Sequence, residues 1–285
     1  MSLILIQALH ALQTGLQIFL IASGLTLVLG AMRVINLAHG ALYALGGYLG
    51  LSLLGLTDSL LWSAALICPL ALATGLLLEG ALFRPLVRAH PLEQVLLTFG
   101  LILVFEEARA LIWGNDVLGV PIPVWLGGGI PLSDGLMYPR YRLAVCGLSA
   151  GIAAGLFFLL GRTRFGVQVA AMAENRSLLS AFGICPQRLC AQVFALGALL
   201  AMLAGLLAAP MTTLSPHQSG PALMASLVVV ILGGLGSVRG CLIASLLVGL
   251  VDTLSHLWLS GAAGLAIYAT MALALALRPQ GLFTR

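Results

Sequence analysis

Apolar residues run along this chain in unbroken blocks of about 20, the length that carries a helix across the hydrocarbon of a bilayer. The blocks lie at roughly 9–32, 41–56, 60–82, 95–113, 143–160, 189–209, 223–233, 241–258 and 262–277. A closed barrel, the other structure able to span lipid, needs apolar and polar residues to alternate, and these blocks do not alternate. The pattern therefore predicts an all-α, polytopic transmembrane helical bundle of about eight or nine spans, in one domain over residues 1–285. Met1 to Gln17 lacks a basic stretch and a small-residue cleavage site. It reads as the start of the first span rather than as a removed signal peptide.

The polar interruptions carry the organisation. Two of them share a plan: an apolar helix, glycine, an arginine and a polar residue, glycine again, then a helix of small residues. The first is the stretch after Met32, with Arg33, Asn36, His39 and Gly40; the second is Gly233-Gly234-Leu235-Gly236-Ser237-Val238-Arg239-Gly240. Paired breaks in separate halves of a transporter often mark the substrate path, because freed backbone groups there can face a cavity. Two tight turns between helical hairpins would leave the same pattern. Residues 114–140 are rich in proline and glycine with no helical period, and are expected to form an external loop.

The longest stretch unable to sit in lipid is 162–188, where Arg162, Arg164, Arg176 and Arg188 face a single acid, Glu174. Within it, Val167 to Phe182 reads as one short helix ended by Gly183 and Pro186, with Ala170, Ala171 and Ala173 as a small-residue surface for a partner. Arginine-rich loops beside apolar spans stay on the cytoplasmic side. That rule places the N-terminus outside and the C-terminus inside. Arg33, Arg84, Arg88, Arg162, Arg164, Arg176, Arg188, Arg239, Arg278 and Arg285 then share the cytoplasmic face, while Arg140 and Arg142 lie outside.

Composition agrees. The chain has 285 residues, 61% of them hydrophobic and 8% charged, with a mean hydropathy of +1.12, outside the range of soluble domains. Its net charge of +4 comes from arginine alone and is accounted for by membrane topology, so no nucleic acid is expected as a partner. The cysteines are scattered without metal-ligand spacing, and neither a metal nor an organic cofactor is expected. No nucleophile motif or phosphate loop appears, which argues against an enzyme.

A few polar residues inside the blocks need partners. Asn36 and His39 are placed at the first break, where His39 reads either as a hydrogen-bonded structural residue or as a proton relay. Glu106 and Arg109, spaced i, i+3, share a helix face and can neutralise each other as a buried pair or at a snorkelling end. Glu107 points elsewhere with no local partner.

Taken together, several motifs resemble one family, the membrane permease of branched-chain amino acid ABC importers. GLTLVLGAMRVINLAHGALYALGGY is similar to its first signature, including Asn36, His39 and Gly40. LLTFGLILVFEEARALIWG is similar to its fourth-span motif, although related chains tend to carry the arginine one position after Arg109. RTRFG, Gly183-Ile184 and FALGALLAMLAGLLAAP also match. VVVILGGLGSVRGCLIASLLVGL resembles the late glycine motif, with Arg239 where relatives commonly have an apolar residue or proline. The likeness runs from Gly15 to Gly281.

The resemblance implies half of a translocation pore in the cell inner membrane. A second homologous permease would sit beside it, a solute-binding protein would dock outside, and two ATP-binding subunits would dock inside. It implies that 162–188 is the segment coupled to the ATPase, through Ala170, Ala171, Glu174, Ala181, Gly183 and Ile184. Asn36, His39, Gly40, Gly233, Gly234, Gly236 and Ser237 would line or brace the path. Permeases for urea and short amides share such motifs, and an ion-coupled secondary transporter using Glu106, Glu107 or His39 is the competing class.

Overall fold

The computed structural model describes residues 2–86, 89–133, 136–258 and 263–277; Arg88, Arg278 and Arg285 lie outside the described residues. The helices are α1 (Ser2–Met32), α2 (His39–Thr57), α3 (Leu60–Leu78), α4 (Arg84–Leu86), α5 (Pro91–Trp113) and α6 (Arg140–Arg162). They continue with α7 (Arg164–Glu174), α8 (Arg176–Ala181), α9 (Pro186–Ala208), α10 (Ser219–Gly233), α11 (Val238–Trp258) and α12 (Ala263–Leu277). Among the described residues, 6 helices are long and apolar enough to cross a membrane, with α3 running on through a π turn at Glu79–Phe83 into α4. The α10 and α12 helices are apolar but shorter, and α5 is long but carries Glu93, Glu106, Glu107 and Arg109. The expected bundle is present, with a span count that depends on how these three are assigned.

Because nearly every helix is apolar all round, residue size rather than polarity decides which face packs inward. The α3 helix buries Leu60, Ser63, Ile67, Ala71 and Gly75, one stripe at helical spacing, and leaves Leu61, Trp62, Leu66 and Leu77 exposed. The centre is α1 and α9, which cross where Gly24 meets Gly197: a Cβ on Gly24 would lie 2.7 Å from the Gly197 carbonyl oxygen. Such contacts let backbones approach and gain dispersion energy where lipid supplies no hydrophobic drive.

Within residues 114–140, which have no helical period, β1 (Gly129–Ser133) and β2 (Leu136–Pro139) form an antiparallel hairpin, and Leu118 bridges Leu214. The alternation that would have signalled these strands is too short to separate from loop sequence. One expectation is corrected: Val167 to Phe182 is not one helix. It divides at Asn175, whose backbone is extended and whose Oδ1 accepts from the Ser177 N–H at 3.0 Å and hydroxyl at 2.6 Å. Asparagine competes in this way with the helical ladder and starts α8 afresh.

Candidate functional site

The first break is a re-entrant excursion rather than a turn. His39, fully buried at the start of α2, places its Nε2 2.8 Å from the carbonyl oxygen of Ile21. Ile21 precedes the end of α1 by about 16 Å of helix at 1.5 Å per residue. After Met32 the chain therefore climbs back beside α1 before α2 begins. A carbonyl only accepts, so Nε2 carries the proton, and Nδ1 becomes a buried acceptor with no partner. Asn36 is also buried, and its Oδ1 likewise has no partner.

At that depth α2 meets α10. A Cβ on Gly40 would overlap the Ser219 carbonyl oxygen, so the first turns of the two helices touch. The α2 helix runs from there alongside α9, with Gly46 against Met202 and Gly50 against Leu206, toward the end bearing the β-hairpin. The α10 helix runs the opposite way, to the end bearing α7, where Gly236 packs on Gly30 near the end of α1. The structure thus joins the two breaks at this second, basic end, and joins the starts of two helices deep in the bundle.

Arg109 holds that deep junction. Its side chain is 1% exposed, and its guanidinium donates to Pro216 O at 2.7 Å, Ser219 Oγ at 2.9 Å and Ala41 O at 3.3 Å. The guanidinium also lies 5.8 Å from the Tyr48 ring centroid. Glu106 shares its face, as the spacing required, but at 3.9 Å it is the more distant contact. Its other carboxylate oxygen is 3.4 Å from Nδ1 of His217. Glu107 is exposed and lines, with Glu106, Asn115 and His217, a recess of about 490 Å³.

The second break owes its shape to glycine: Gly234 and Gly236 have φ of 89° and 80°, a region closed to most side chains. Ser237 caps α11, accepting from the Gly240 N–H at 3.1 Å. With Gly30, Gly166, Ala170 and Arg239 it also lines a cavity of about 380 Å³ between this break and α7. Gly233 is buried against the backbone of Gly240 and Cys241.

The α7 helix is sided. It buries Gly166, Val169 and Met172, and exposes Val167, Ala171 and Glu174. Ala170 and Ala173 do not join the outward face as expected; both are half-buried beside cavities facing α1, which leaves Ala171 as the outward alanine. Ala181, Phe182 and Gly183 are exposed, and Ile184 is half-buried against the core. Gly183 has φ of 75°. Its N–H donates to Ser180 O at 3.0 Å, and that of Ile184 to Leu179 O at 3.3 Å, the paired bonds by which a left-handed residue closes a helix.

Three participants escaped the sequence reading. Ser219 and His217 sit far along the chain from Glu106 and Arg109, with no local signal to link them. Arg33 counted as a topology marker and as part of the first break, and an arginine carries no signal for the left-handed cap it forms, a position usually held by glycine.

Residues 7–277 match the family described as "Branched-chain amino acid transport system / permease component". The high-affinity branched-chain amino acid transport system permease protein LivH of Salmonella typhimurium is 27% identical over 98% of this chain and 95% of its own length. The corresponding protein BraD of Pseudomonas aeruginosa is 26% identical over 86% of this chain and 84% of its own. The ribose import permease protein RbsC of Escherichia coli is 27% identical over 82% and 72%. No solved structure matches. With nearly its whole length matched, and a bundle of apolar helices bearing paired breaks, the chain belongs to the family of branched-chain amino acid transport permeases, as a membrane transport component and not an enzyme.

Proposed function

We propose that this chain is the translocating half of an ATP-driven importer for branched-chain or related amino acids. It pairs with a second permease, receives substrate from a solute-binding protein at the hairpin end, and is driven by ATPase subunits that seat on α7 and α8. The basic end then faces the cytoplasm: Arg33, Arg84, Arg162, Arg164, Arg176, Arg188 and Arg239 gather there, against Arg140 and Arg142 at the other end. Substrate passes along the broken helices, where Asn36, His39, Gly40, Gly236 and Ser237 shape the path.

The observation that carries this reading is the α7–α8 module. A short sided helix and its glycine-capped successor stand at the basic end with Val167 and Phe182 70% and 74% exposed. Exposed apolar side chains on a segment too charged for lipid call for a protein partner. The substrate class rests on the printed names of the relatives LivH and BraD.

Gly183→Arg tests the assignment, because φ of 75° suits glycine and an added arginine would disturb both cap and contact surface. The variant should insert normally but lose co-purifying ATPase, or leave ATP hydrolysis unresponsive to loaded binding protein. Retained attachment with wild-type stimulation would remove α7–α8 from the coupling role. Uptake that continues without ATP but collapses with the ion gradient would instead favour secondary transport.

A further inference from the structure

Arg33 sits where a helix usually places glycine. It is the first residue beyond α1, its N–H donates to Leu29 O at 3.0 Å, and its φ is 56°. A side chain in this left-handed region is strained relative to glycine, and such residues persist where surrounding contacts over-determine them. The contact here is specific: Nη2 of Arg33 donates to the carbonyl oxygen of Ala173 at 3.1 Å. Ala173 lies in the last turn of α7, where carbonyls lack helical partners and the negative end of the helix dipole favours a cation. Arg33 therefore caps two helices at once, α1 through its backbone and α7 through its side chain.

We propose that Arg33 is the clip that fastens α7 to the first break, so that movement of α7 is passed directly to residues 33–38. This deepens, and rests on, the reading of α7–α8 as the segment gripped by the ATPase. The α7 helix also packs on α1 along its buried face, through Val169 and Met172. A cavity of about 660 Å³, lined by Leu29, Gly30, Arg33, Ile35, Ala173 and Gly236, separates the end of α7 from both breaks. At its far end, the segment that Arg33 begins is fixed by His39 on Ile21 and by Gly40 on Ser219, beside Arg109. A pull on Arg33 thus reaches the junction of α2 and α10 through one short non-helical stretch, which ends in a turn at residues 37–38. A role limited to holding positive charge at this face would need neither the left-handed backbone nor the bond to Ala173.

Arg33→Gly separates the two roles, because glycine keeps the cap of α1, relieves its strain and removes the clip. In the purified permease–ATPase complex it should preserve assembly and basal ATP hydrolysis. Substrate carried per ATP should fall about tenfold, within the roughly 5–150-fold range of coupling between sites. Hydrogen exchange in the last turn of α7 should quicken at the same time, a readout that does not depend on transport. Arg33→Ala should uncouple to the same extent but with lower thermal stability. Wild-type coupling in Arg33→Gly would overturn the proposal. So would unchanged exchange in α7, or failure of both variants to assemble, which would make Arg33 a folding residue. These comparisons are made within attached complexes, so they are distinct from the outcome of Gly183→Arg, which reports on attachment itself.

Discussion

Arg109 offers the sharpest quantitative test, because removing its charge and keeping it lead to different ranks. In Arg109→Met the stem is retained and the guanidinium is lost. Ala41 O sits in a helix and keeps its intrahelical partner, so little is lost there. Pro216 O and Ser219 Oγ lose bonds of 2.7 and 2.9 Å to a charged donor, each worth about 1.5–3 kcal/mol. Against that loss stands the desolvation of a buried cation, several kcal/mol, which no longer has to be met. The hydroxyl of Ser219 can also turn to a backbone acceptor. The net destabilisation should be about 2 kcal/mol. Arg109→Lys keeps the buried charge but replaces a planar fork with a point donor on a shorter reach, unable to bond Ala41, Pro216 and Ser219 together. It retains the desolvation penalty with fewer bonds to offset it, for a loss of about 3 kcal/mol or more. Equilibrium unfolding of the purified permease in mixed micelles, followed by helical signal, should rank wild type above Met and Met above Lys. Transport should fall in both variants, because the starts of α2 and α10 are no longer pinned to α5. A lysine variant more stable than the methionine one would show that charge, rather than the shape of the guanidinium, holds this junction.

Two further outcomes follow from the placement of the breaks and of the arginines. Cysteines introduced at Ser177 and Val117, in a background lacking native cysteines, should react with an impermeant reagent from the cytoplasmic and external sides respectively; labelling of both from one side would reverse the proposed orientation. Asn36→Leu combined with His39→Leu should still insert and assemble, because Asn36 Oδ1 has no partner to strand and Ile21 O keeps its bond within α1, so that only the His39 hydrogen bond, about 1 kcal/mol, is lost, and should transport poorly; normal uptake would mean that their unpartnered Oδ1 and Nδ1 atoms play no part in the path.

Much of this protein is written locally. A block of about 20 apolar residues can only be a helix in lipid, since every buried backbone group must find its partner within the segment. The sidedness of arginine needs no knowledge of packing, and Gly183, Gly234 and Gly236 marked where helices end, positions at which the backbone has positive φ. Sequence could not say which face of each helix packs inward, because in a helix apolar on all sides the choice rests on small residues meeting across helices, as Gly24 meets Gly197. Nor could it separate a turn from a re-entrant segment. That distinction lies in the bond from His39 to Ile21, and the role of Arg109 lies in Pro216 and Ser219, more than 100 residues away. Local composition sets what a stretch of chain can do in a membrane. Which distant backbone groups it meets there depends on close packing, and that exists only once the bundle has formed.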